Sequence, residues 1–215
     1  MNFPFTSRQF FDVFGRYNEA VWPMQVVLLG VAIAIVSLIF IRRRWAGTTI
    51  SVLLAFLWGW LAVAYHALFF AAINIVAYGF AIVSLAGSAA FLWFGLIRRQ
   101  LVFGAVGVWR AVTGSAFIAF SLAAYPVWSY QAGHPYPYLP TFGLPCPTTL
   151  FTIGVLAFLE TPCPKSIFLV PVLWCGIGSV AALQLGVTQD LSLIPAGVAG
   201  VVLLVRSDVV QVADG

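Results

Sequence analysis

The chain has 215 residues, of which 62% are hydrophobic and 7% charged, with a formal net charge of +4. That composition excludes a water-soluble globular domain. The scarce charges sit between long apolar runs, which excludes a basic nucleic-acid-binding face. A helix of about 20 apolar residues satisfies its own backbone in a bilayer core, so the sequence predicts an all-α polytopic membrane helix bundle, a single domain over 1–215.

Residues 1–22 are no cleavable signal peptide, because Arg8, Asp12, Arg16 and Glu19 interrupt any apolar core. Phe10, Phe11, Phe14, Tyr17 and Val21 share one face of a helix, with Asp12, Arg16 and Glu19 mostly on another. This spacing predicts an amphipathic segment lying flat on the outer surface, either as a packing collar over the bundle or as a gate or partner-docking helix. Seven apolar segments follow, at 23–41, 48–70, 73–97, 104–125, 147–159, 166–186 and 191–205. The fifth opens on Pro147 and closes at Glu160, so its apolar part is about 20 Å long, which suits a thinned region or a re-entrant segment.

Charge selects between these topologies, because basic residues in short loops stay on the cytoplasmic side. With the N-terminus outside and seven spans, Arg42, Arg43, Arg44, Arg98, Arg99, Arg110, Lys165 and Arg206 all fall inside, and only Arg8 and Arg16 fall outside. A re-entrant fifth segment would move Lys165 and Arg206 outside. Seven spans with the C-terminus in the cytoplasm are therefore expected.

The longest predicted loop, 127–146 on the outer face, is rich in proline and tyrosine and ends at Cys146. Alternating prolines favour a stiff, extended backbone and tyrosines suit a membrane interface, so the loop reads as a lid, as a docking surface for a membrane-complex partner, or simply as interfacial sequence. Cys146 and Cys163 each precede a helix-starting proline, where the helix dipole favours thiolate; Cys175 lies inside the sixth segment. On this topology most of the membrane separates Cys146 from Cys163, too far for a disulfide.

His66 is the ionisable residue that stands out within a span, and such a group is expensive unless it faces the bundle interior or water. It falls near the outer end of its segment, at a depth similar to that of Asn74, and on the same membrane face as His134 and Cys146. His66, Asn74, His134 and Cys146 are thus the candidate ligand-binding set. Within it, His66, His134 and Cys146 could bind copper or zinc, although no short metal motif links them. The plainer reading is an interfacial histidine bonded to a carbonyl or water. Haem finds little support, since His66 is the one histidine placed in a span. Nucleophile elbows, phosphate loops and zinc-protease motifs are absent, which argues against an enzyme. Gly87, Gly114 and Gly176 read as sites of close helix contact.

Three stretches, FFDVFGRYNEAVWPMQ from Phe10, AYHALFFAAINIVAY from Ala64 and HPYPYLPTFGLPCPTTLFTIG from His134, resemble a family of small bacterial integral membrane proteins of unknown function. The resemblance implies a bacterial inner-membrane location and carries no residue roles. The expected function is transport or binding of a small ligand or soft metal ion at the outer face. The alternatives are a non-catalytic subunit or scaffold, and a metal- or haem-dependent redox protein.

Overall fold

A computed structural model describes residues 4–41 and 43–208. Arg42, counted above among the inner charges, lies outside the described residues. The described chain is helical throughout, with isolated bridges but no strand. Helix α1 spans Ser7–Ala20 and α2 Met24–Ile39. Helix α3, Arg44–Trp60, continues into a π-helical stretch at Leu61–Ala67. Helix α4, Ala77–Phe91, continues the same way through Leu92–Ile97; α5, Val108–Ala119, passes through a π-helical stretch at Phe120–Ala124 into α6, Tyr125–Gln131. Helices α7, α8 and α9 cover Pro145–Leu156, Ser166–Leu185 and Leu193–Val205.

Five stretches are long and apolar enough to cross a membrane: Trp45–Ala72, Ala77–Ile97, Val108–Gln131, Ser166–Leu185 and Thr188–Asp208. Helices α1 and α2 supply a sixth only if taken as one span bent by 89°. The seven full-length spans expected from sequence reduce to this count for two reasons. Helix α2 has 16 residues, and α7, at 12 residues, is about 18 Å long. The loop after α6 is also shorter than expected, because the helix runs on to Gln131 and leaves 132–144 as the connection.

Helix α7 is the axis around which the rest pack. Every residue from Pro147 to Leu156 is buried, with α2, α5, α8 and α9 around it. A helix enclosed on all sides has no polar face, which is why its sequence reads as a plain apolar run. Its two ends are held differently. At the C-terminal end the chain leaves helical geometry and pairs with the 101–104 segment: Gly104 N–H donates to Phe158 O at 3.0 Å and Glu160 N–H to Val102 O at 2.8 Å. The buried Arg110 guanidinium caps this end by donating to Leu159 O, a cation where the helix dipole is negative. Irregular backbone is thus satisfied inside protein, as membrane depth requires.

Helix α1 closes the other end. A capping box fixes its start, Gln9 N–H donating to Thr6 Oγ1 at 3.3 Å and Thr6 N–H to Gln9 Oε1 at 2.8 Å. Phe10, Phe14 and Tyr17 are buried against Tyr65, Phe69 and Phe70, while Arg16 and Glu19 are exposed. The apolar face of α1 is therefore spent on protein. Asn18, fully buried, ties the 132–144 loop to it: its amide donates to Pro137 O at 2.6 Å and Leu139 O at 2.7 Å, and its Oδ1 accepts from Thr141 Oγ1 at 2.7 Å.

Glycines set the closest helix approach. A Cβ on Gly114 of α5 would stand 2.7 Å from Gly154 O of α7, and one on Gly154 would stand 2.8 Å from Gly114 O. Gly87 likewise faces Val170 at 3.0 Å. Gly176, expected to act in the same way, has nothing within 4 Å of a Cβ and faces away from the bundle.

Candidate functional site

Beneath α1 lies a cavity of about 340 Å³. Its roof is Phe5, Phe10 and Phe14 with Pro140 and Leu144 of the loop. Its walls come from the π-helical end of α3 (Tyr65, His66), the turn after it (Phe70, Asn74), Phe80 of α4 and the Trp174 turn of α8. The floor is the start of α7, Pro145 to Pro147, beside Tyr125 and Asp190.

The structure brings three of the four sequence-selected residues, His66, Asn74 and Cys146, to this one cavity. His66 is 1% exposed, and neither ring nitrogen has a hydrogen-bond partner. Its neighbours are rings: Trp174 with centroids 4.9 Å apart, Phe80 at 5.8 Å and Phe70 at 6.4 Å. The satisfied interfacial histidine of the plainer reading is thus not what the protein provides. Asn74 accepts from Val76 N–H at 3.1 Å through Oδ1, holding the turn between α3 and α4. The Cys146 thiol lies against the Asp190 carboxylate and the Trp174 indole, whose N–H lacks hydrogen-bonding geometry to any acceptor.

His134 does not join them. It stacks on Phe11 with centroids 3.8 Å apart and planes at 11°, on the far side of the roof. Its backbone N–H donates to Ser129 O at 3.1 Å, and burial holds its imidazole pKa below the usual histidine value. The proposed metal set of His66, His134 and Cys146 is therefore not assembled, and no group of three His, Cys, Asp or Glu residues close enough to hold a metal occurs among the described residues. Cys163 also departs from expectation: it lies before α8 in a buried turn, its N–H donating to Ser207 O, and burial pushes its thiol pKa up to about 11. A thiolate is not favoured there. All three cysteines are free.

The residues that sequence reasoning missed are Asp190, Tyr125 and Trp174. Asp190 is 3% exposed, and the Tyr125 hydroxyl donates to it. The available signal was an acidic residue directly preceding the last apolar segment. That segment was drawn from residue 191, one position too late to include it, whereas the apolar helical stretch runs Thr188–Asp208.

A cavity walled by aromatic rings, with a line of polar groups from His66 through Trp174 and Cys146 to Asp190, suits a mainly apolar guest that offers a few hydrogen-bonding atoms. A protein-family model described as a family of unknown function, DUF6064, matches residues 7–214. The chain belongs to this family. Neither a curated protein nor a solved structure matches this DUF6064 member.

Proposed function

We propose that this DUF6064 protein is a bacterial inner-membrane protein that binds, and in its fuller role transports, a small and mainly apolar molecule in the cavity beneath α1. The observation that carries this reading is His66. An imidazole buried to 1% with both nitrogens unpartnered costs about 1–3 kcal/mol per unsatisfied group. A cavity guest that donates to one nitrogen or accepts from the other recovers that cost. The distribution of charge supports α1 lying outside, since Arg43, Arg98, Arg99, Arg110, Lys165 and Arg206 belong to the opposite ends of their helices.

The test is the thermal stability of purified protein in detergent with millimolar phenol or indole, for the wild type and His66→Leu. Phenol or indole is expected to raise the wild-type melting temperature and leave the variant's unchanged, while the ligand-free variant melts at or above the wild-type temperature because its unsatisfied nitrogens are gone. A variant that is strongly destabilised, with no solute shift in either protein, refutes the reading. The exposed Tyr130 and Tyr136 favour a second reading, a scaffold that docks a membrane partner at this surface; cross-linking from position 130 in native membranes tests it.

A further inference from the structure

Asp190 is a buried carboxylate without a cation. Among the described residues the ion pair found joins Lys165 to Asp208, both exposed, and neither lysine nor arginine lines the cavity. A lone charge in a low-dielectric interior is expensive unless paired, and hydrogen bonds from Tyr125 and the adjacent Cys146 thiol meet only part of that cost. The start of α7 points the positive end of its dipole at the same place, yet the sequence strips that end of donors. Pro145 and Pro147 have no N–H, and the N–H of Thr148 is spent on Leu144 O at 3.1 Å. A helix start so poor in N–H groups is a weak anion site and a weak counter-charge for Asp190.

What surrounds the carboxylate is aromatic. Rings meet at steep angles, Phe10 and Phe70 at 74°, Phe80 and Trp174 at 86°, Phe10 and Phe14 at 63°, so π faces are presented to the cavity from several directions. The face of an aromatic ring is electronegative and attracts a cation, more strongly where water is excluded. We infer that the guest is an organic monocation, an amine or ammonium group on an apolar body, with its charge between Asp190 and the aromatic walls. The unspent Trp174 N–H adds an acceptor oxygen to that description, as in amino alcohols and their ethers. His66 faces the same space as a neutral partner.

This inference rests on the proposal that the cavity binds a small molecule, and the experiment separates the two. Equilibrium binding to purified protein in nanodiscs is measured for the phenyl ether of choline and for its neutral isostere, 3,3-dimethylbutyl phenyl ether, which has carbon in place of nitrogen. The wild type is expected to bind the cation at least about tenfold more tightly than the isostere, a difference of about 1.4 kcal/mol. Asp190→Asn is expected to abolish that preference by weakening the cation alone. Equal binding of both compounds to the wild type, or an unchanged preference in the variant, overturns the cation assignment while leaving the cavity proposal standing. Binding of neither overturns both. The wild-type ratio decides the matter if the Asn variant does not fold.

Discussion

Asn18→Ala would release the roof of the cavity without touching its walls. The side chain makes three hydrogen bonds to the 132–144 loop, two from its amide to Pro137 O and Leu139 O and one accepted from Thr141. At about 1 kcal/mol net for each neutral bond, their loss weakens the docking of the loop by about 3 kcal/mol. Each 1.4 kcal/mol is a factor of ten, so the open population of the loop rises by about two orders of magnitude. Hydrogen exchange reads this directly at the amides of His134, Tyr138 and Leu144, which are held by Ser129 O, Pro135 O and Thr141 O. Their exchange should accelerate by about a hundredfold, while amides of α7 keep wild-type rates. Asn18→Asp should be worse than Ala, because it keeps the acceptor for Thr141 but turns an oxygen towards two carbonyls. Loop exchange within about threefold of wild type in Asn18→Ala would show that the loop is held by its own stiffness and by Phe11–His134 stacking instead.

Two further outcomes follow from the packing and the loop. Gly114→Ala should cost about 1–3 kcal/mol in detergent melting, because its Cβ would meet Gly154 O at 2.7 Å, the Phe158 ring at 2.7 Å and Ala157 at 2.9 Å. Gly176→Ala, with open space around it, should change stability by less than about 0.5 kcal/mol and serves as its control. His134 titrates below its ordinary value because of burial, so its neutral form is the one the folded loop prefers. Its contribution to loop docking is full above the unfolded histidine pKa, about 6.5, and is lost as the pH falls below it. Loop exchange should therefore accelerate on acidification in the wild type and not in His134→Phe; a pH-independent wild type would refute this.

How much of this could be read from sequence depended on which physical rule governed each residue. The helical architecture followed from hydropathy alone, because a bilayer leaves few backbone solutions. Depth along a helix is also legible, and it was depth that put His66, Asn74 and Cys146 at one end before any contact was known. Direction is not. His134 shares that end, but Asn18 folds the loop back so that the imidazole meets Phe11 on the far side of the roof, and nothing in the spacing of prolines specifies that turn. Helix α7 resisted length-based reading because a buried axial helix and a short span have the same apolar sequence. Gly114 and Gly176 look alike in the sequence; only the position of α7 makes the first a contact and leaves the second facing outward.

The π-helical stretch that carries Tyr65 and His66 bears on how the family can diverge. Through Leu61–Ala67 the backbone bonds skip five residues, as in Leu68 N–H to Val63 O at 3.2 Å, so the stretch holds a residue that a regular helix would lack. Trp58, just before it, is fixed to α7 by donating to Thr152 Oγ1 at 3.2 Å. Deleting one residue between these points would restore the regular helix and rotate everything beyond by about 100°, carrying the imidazole off the cavity wall. The interval from Trp58 to His66 is thus a ruler. Family members that preserve its length keep the histidine facing inward whatever their intervening residues, and members one residue shorter have exchanged this cavity for a different one.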